Sequence, residues 1–204
     1  MWTNNKSVKF QKPFLTACLL VSALFVSACS GLNRSDKPAT KTWWLVPYNG
    51  SMVATTTVPP VNVAVSVTVV PGLDTHRILA LSDNAHLSKY AGARWADSLP
   101  ELVTSLVSRS LEGSGRFEVV SSRSDSGECD LEIEVQEFYA RLGANKQTTG
   151  VRVAMDGFYR CDGTEPVPIR LNASAAVHDD RMTVIVAVFQ GALDEVMKSL
   201  LEAI

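Results

Sequence analysis

Leu131-Glu132-Ile133-Glu134-Val135 and Val151-Arg152-Val153-Ala154-Met155 both alternate apolar residues with polar or small ones, and Gly143-Ala144-Asn145-Lys146 between them has the composition of a turn. Alternation with period two marks a strand with one buried face, so the pair predicts a β-hairpin centred on Asn145. That centre sets Leu131 opposite Tyr159, Val135 opposite Met155 and Tyr139 opposite Val151, which keeps one apolar face along the whole ladder. It also sets Cys129 opposite Cys161, and a structural disulfide is expected there. The competing assignment, a metal or redox pair, lacks both an adjacent CxxC partner and a nearby histidine.

Working outward, the run from Val61 to Val69 has Val at every odd position and small or polar residues between, a strand stopped by Pro71-Gly72. Before it, Trp43-Trp44-Leu45-Val46 reads as a short strand and residues 49 to 60 as a loop. After it, His76 to Leu81 and Leu87 to Tyr90 flank Asp83-Asn84 as two short strands, the second leading into Arg94-Trp95-Ala96-Asp97. Ser98 with Glu101 three residues on and Pro100 in the first turn announces a helix. Leu99, Leu102, Val103, Leu106, Val107 and Leu111 form its apolar stripe, and Gly113 to Gly115 end it. Arg116 to Ser121 and Val167 to Val177 read as further strands. From Arg181 to Ile204 the pattern is mixed: Val184 to Val188 has strand propensity, yet Phe189, Leu193, Val196, Met197, Leu200 and Leu201 repeat with helical period, and Asp179-Asp180 is placed to cap a helix. One long helix is expected. Two helices against an antiparallel or mixed sheet make an α+β, two-layer domain.

The start of the chain carries different chemistry. Lys6, Lys9 and Lys12 precede an apolar run from Phe14 to Val26, and the run closes on Val26-Ser27-Ala28-Cys29. A charged start, a run too short for a comfortable membrane span and small residues before a Cys form a lipoprotein signal: the thiol takes a diacylglyceryl group and cleavage frees the amine for a further acyl chain. Residues 1–28 are thus expected to be a signal peptide, with Cys29 the lipidated first residue of the mature chain. Residues 29–42 offer little to bury and read as a flexible tether of roughly 20 Å as a random coil. Residues 43–204 are left as one domain. Ser30 stands where an Asp would signal inner-membrane retention under the enterobacterial sorting rule, so the expected location is the outer membrane, facing the periplasm.

Removing residues 1–28 takes away three lysines and no acid, leaving 16 basic against 21 acidic residues, a net charge of −5. With no basic cluster, nucleic acid is not an expected partner. Catalytic and cofactor patterns are missing as well: there is no GxSxG, HExxH, GxGxxG or phosphate loop, and His76, His86 and His178 lack metal-type spacing. No cofactor, metal or catalytic residue is assigned. Glu128, Asp130, Glu132 and Glu134 form an acidic stripe that reads as a solvated face or a docking surface for a basic partner. Trp43, Trp44 and Trp95 are costly to leave in water and flank irregular or edge-like segments, so they either fill the ends of the core or contact a partner.

An ordered series of motifs adds to this. The lipobox at Cys29 is followed by Trp43-Trp44-Leu45, the Val-rich strand with Pro71-Gly72-Leu73-Asp74, Tyr90-Ala91, Arg94-Trp95-Ala96-Asp97 into a helix, Ser114-Gly115-Arg116-Phe117 and a C-terminal helix, a series that covers nearly all of residues 43–204. In that order the chain resembles the ABC-type transport auxiliary lipoproteins, the family that includes paraquat-inducible protein C; the cysteine pair is not a signature of it. The resemblance implies a non-enzymatic, periplasm-facing accessory subunit of a lipid transport system containing an ATPase, a permease and a mammalian-cell-entry (MCE) type protein. The MCE-domain protein is the implied partner, with phospholipid a second. An envelope structural or assembly lipoprotein without a transport role is the alternative, and a periplasmic enzyme a third.

Overall fold

The structure, a computed structural model, describes residues 39–50, 59–121 and 129–204. Cys29, the tether through residue 38, and Glu128 lie outside the described residues. The hairpin is the spine of the fold: β6 (Cys129–Leu142) and β7 (Thr148–Cys161) pair antiparallel, with Cys129 opposite Cys161, Leu131 opposite Tyr159 and Val135 opposite Met155. The register then departs from strict alternation. A bulge between Val135 and Glu137 places Tyr139 opposite Arg152 instead of Val151, which faces Ala140. One extra residue in β6 reverses the faces. Up to the bulge the odd residues Leu131, Ile133 and Val135 are buried; beyond it the even residues Phe138 and Ala140 are, and Tyr139 turns outward.

Strand β2 (Val61–Val69) runs parallel to the first half of β6, and β3 (Arg77–Ser82) follows on the same edge along its last residues. The sheet forks there. Outside β3 lie β4 (Leu87–Trp95) and then β1 (Lys41–Trp43); outside β2 lies β5 (Phe117–Val120); beyond β7 lies β8 (Val167–Ala176). This makes an open, mixed sheet of eight strands among the described residues. Helix α1 (Leu99–Gly113) packs on β2 and β5, and α2 (Met182–Ala203) on β7 and β8, giving the two-layer α+β architecture. Gly157 permits one close approach, since a Cβ there would run into the Glu132 carbonyl oxygen.

At the start of α1, the Glu101 carboxylate accepts hydrogen bonds from the Ser98 backbone N–H at 3.3 Å and hydroxyl at 2.8 Å. The helix gives way at Ser114, with Gly115 at φ +68°. The start of α2 differs from expectation, for neither aspartate caps it. Asp179 accepts from the backbone N–H and Nε of Arg181 at 2.9 and 2.8 Å, while Asp180 accepts from the backbone N–H of Thr148 at 3.0 Å and from its hydroxyl. Both carboxylates are taken up by other donors, and Arg181 occupies the cap position with no side-chain capping bond to the helix. The β-prone run Val184–Val188 is helical because Ile185, Val186 and Phe189 share the face that meets the sheet.

Trp95 is 1% exposed. Its ring meets those of Phe138 and Phe189 edge-on at 5.8 and 5.3 Å, and those two stack on each other at 5.2 Å. Aromatic edge-to-face geometry adds to the burial of so large a side chain. Trp95 is therefore core and is removed from the candidate partner surface.

Candidate docking surfaces

The N-terminal edge is built by a strand that ends early. Trp43 is the last residue of β1, opposite Trp95 in β4, and the chain then leaves the sheet, so the expected strand through Val46 is replaced by a crossing onto α2. Leu45 enters the core, and the Gln190 side chain binds the main chain of Val46 on both sides: Val46 N–H donates to Oε1 at 2.8 Å and Nε2 donates to the Val46 carbonyl at 3.0 Å. With Leu45 pointing in, Trp44 and Val46 point out, at 56% and 54% exposure. Trp43 is half-buried against the core, and its indole nitrogen has no hydrogen-bond partner among the described residues. Beside it lies a groove of about 400 Å³ flanked by Lys41 and Arg181, with Trp43, Ala91, Ala93 and Met182 among its walls.

The second surface is the face of the sheet that the helices leave open. Ser66, Thr68, Glu132, Glu134, Asp156 and Phe158 line a trough of about 280 Å³ there. Asp130 is partly buried and pairs with Arg160 at 3.2 Å, so the expected stripe is not uniform: Glu132 and Glu134 are exposed, Asp130 is tied down. Farther along the same strand, past the bulge, Glu137 accepts from Arg152 Nε at 2.8 Å and from the Tyr139 hydroxyl at 2.5 Å. Burial works against the Glu137 charge, but the Tyr139 hydroxyl and the Arg152 guanidinium outweigh it and hold the carboxyl below its ordinary range. Burial first, then the bond to Glu137, pushes Tyr139 up to about 12.

Sequence patterns gave no sign of two further links. The Tyr90 hydroxyl lies 2.7 Å from that of Thr148, which also bonds Asp180, so β4, β7 and the approach to α2 are joined. Gln190 and Val46 are the other pair, 144 positions apart, a separation at which no periodicity operates. The three histidines are exposed in separate segments, and no group of three or more His, Cys, Asp or Glu able to hold a metal occurs among the described residues. Among the described residues, the acids and tyrosines whose pKa is displaced, Tyr90, Glu137, Tyr139 and Asp179, all move away from neutrality. Cys129 and Cys161 are bonded to each other and offer no thiol.

The fold has solved relatives. The crystal structure of protein XCC0632 from Xanthomonas campestris, of family DUF330, is similar with a TM-score of 0.61 at 18% identity, over 80% of this chain and 91% of that one. The crystal structure of an uncharacterized protein is similar with a TM-score of 0.60 at 15% identity, over 81% of this chain and 97% of that one. At such identities the likeness is one of fold. No curated protein matches the sequence. Among the described residues no helix is long and apolar enough to cross a membrane. Residues 48–200 match the model of one family, and on that match this chain belongs to the ABC-type transport auxiliary lipoprotein component family.

Proposed function

We propose that this chain is a lipid-anchored, periplasm-facing accessory subunit of an MCE-type ABC lipid transport system, and that it docks the MCE-domain protein at the membrane. The family match over residues 48–200 is the observation that carries it. The lipobox at Cys29 supports the anchor, and a domain with two surfaces free for contact supports a binding role over a catalytic one. Trp43 and Trp44, at the β1 edge, remain as contact residues; the open sheet face, with Glu132, Glu134 and Asp156, is the broad surface left for the protein partner. Phospholipid belongs among the contacts of the subunit.

Affinity purification of the full-length acylated chain after in vivo crosslinking tests this. An MCE-domain protein, with its ATPase and permease, is the expected catch. Recovery of peptidoglycan or an outer-membrane assembly machine in their place would favour the alternative, an envelope structural lipoprotein.

A further inference from the structure

We propose that the β1 edge is a membrane-contact surface: Trp44 and Val46 rest in the interfacial layer of the membrane that holds the acyl chains, with Lys41 and Arg181 against lipid phosphates. It rests on the preceding section only for the anchor at Cys29. Four large apolar side chains are exposed among the described residues, Trp44, Val46, Leu87 and Val167, and two of them share this one segment. Their exposure is built in. Leu45 is fixed in the core between them and Gln190 holds the Val46 backbone, so the segment cannot fold its apolar side chains inward.

The chemistry of the edge suits a bilayer boundary. Tryptophan collects at that depth because its ring is apolar while its N–H stays hydrogen-bonded, and cationic side chains flanking it meet the phosphates. Lys41 and Arg181 line the adjoining groove of about 400 Å³ together with Trp43, Ala91 and Met182, so cationic and apolar side chains share it. Arg181 is shared with Asp179 at 2.7 Å, which leaves Lys41 as the freer charge.

Chain length and charge select the membrane as the occupant. Described structure begins at Ala39, two residues before β1, and the ten residue-to-residue steps from Cys29 to Ala39 span at most about 35 Å when fully extended. The β1 edge is thus the part of the domain nearest the lipid along the chain. The mature chain is acidic overall, and an anionic leaflet repels a face such as that of Glu132, Glu134 and Asp156 while attracting the edge of Lys41 and Arg181. Orientation follows: the β1 edge lies on the membrane and the open sheet face is left for protein.

The test uses the full-length acylated protein in vesicles of phosphatidylethanolamine and phosphatidylglycerol that include a lipid brominated high on its acyl chains. In a Trp43→Phe background the mature chain retains Trp44 and the shielded Trp95. Placement in the bilayer boundary should shift Trp44 emission to the blue and bromolipid should quench it, and Trp44→Phe should abolish that quenching. In cells, p-benzoylphenylalanine in place of Trp44 should form adducts with phospholipid. An unquenched Trp44, an adduct at that position with protein alone, or no adduct at all overturns the proposal. Quenching without recovery of any MCE-domain protein would leave this contact standing and remove the proposed transport role; an unquenched Trp44 in a protein that still captures the MCE partner would do the reverse.

Discussion

Gln190 on α2 completes both main-chain hydrogen bonds of Val46, standing in for the neighbouring strand that Val46 lacks. Gln190→Ala should loosen the backbone around Val46, between the buried Leu45 and Tyr48, whose N–H is held by Ser110 Oγ. Two partly solvated hydrogen bonds are worth about 1–2 kcal/mol together, or a fall of several degrees in Tm for a domain of this size. Thermal unfolding followed by circular dichroism measures it; an unchanged Tm would mean that the burial of Leu45 and the bond from Tyr48 N–H to Ser110 Oγ hold the segment without Gln190.

The Cys129–Cys161 bond closes a loop of 32 residues across the far end of the β6–β7 ladder. In the chain-entropy account a loop of that length contributes roughly 3–4 kcal/mol, a large share of a typical domain's stability. Protein taken from the periplasm should show no free thiol, and Cys129→Ser with Cys161→Ser should shift the denaturant midpoint strongly downward. Two titratable thiols in the native protein would contradict the bond.

Trp95→Ala and Trp44→Ala should behave as opposites. The first empties a site bounded by Phe138 and Phe189 and should cost about 3–5 kcal/mol. The second removes a ring already 56% exposed and should change stability by less than about 0.5 kcal/mol. Chemical denaturation of the two variants side by side decides it, and equal losses would be incompatible with this packing.

The Glu137–Tyr139–Arg152 cluster should give stability a window in pH. Glu137 is lowered in the fold, so its contribution is complete above the ordinary carboxylate range, about pH 4.3, and fades as pH falls through the lowered value. Tyr139 is raised to about 12, so its contribution is complete below the ordinary tyrosine value near 10 and is lost as pH rises towards the raised one. Glu137→Gln should flatten the acid side and Tyr139→Phe the alkaline side of a plot of unfolding free energy against pH. An acid limb unaltered by Glu137→Gln would show that other carboxylates control it.

At the chain's start, Cys29→Ala should abolish metabolic labelling with a fatty acid and leave the precursor unprocessed at this position. A variant that is still acylated would show that the lipobox has been misplaced.

Sequence by itself determined what short-range periodicity and local chemistry can carry. The alternation in residues 131–135 and 151–155 set the hairpin register that brings Cys129 to Cys161, the Val repeat marked β2, and Ser98 with Glu101 marked the start of α1. The lipobox is likewise local and stands on sequence alone, outside the described residues. Tertiary structure decided which tryptophan is core and which is exposed, since Trp44 and Trp95 are equally apolar and only distant Phe138 and Phe189 tell them apart. It also decided the face of Tyr139. Strict alternation from Val135 points that side chain inward, but one unpaired residue in the ladder reverses the parity, and Phe138 takes the inner place against Trp95 and Phe189. Asp180 follows the same logic: its place in the sequence suits a helix cap, while the donor it meets, Thr148, is brought to it by the fold; Asp179 is taken up locally by Arg181, two residues on. Partners separated by tens of residues compete for the same side chain, and that competition is settled by packing, which no local pattern records.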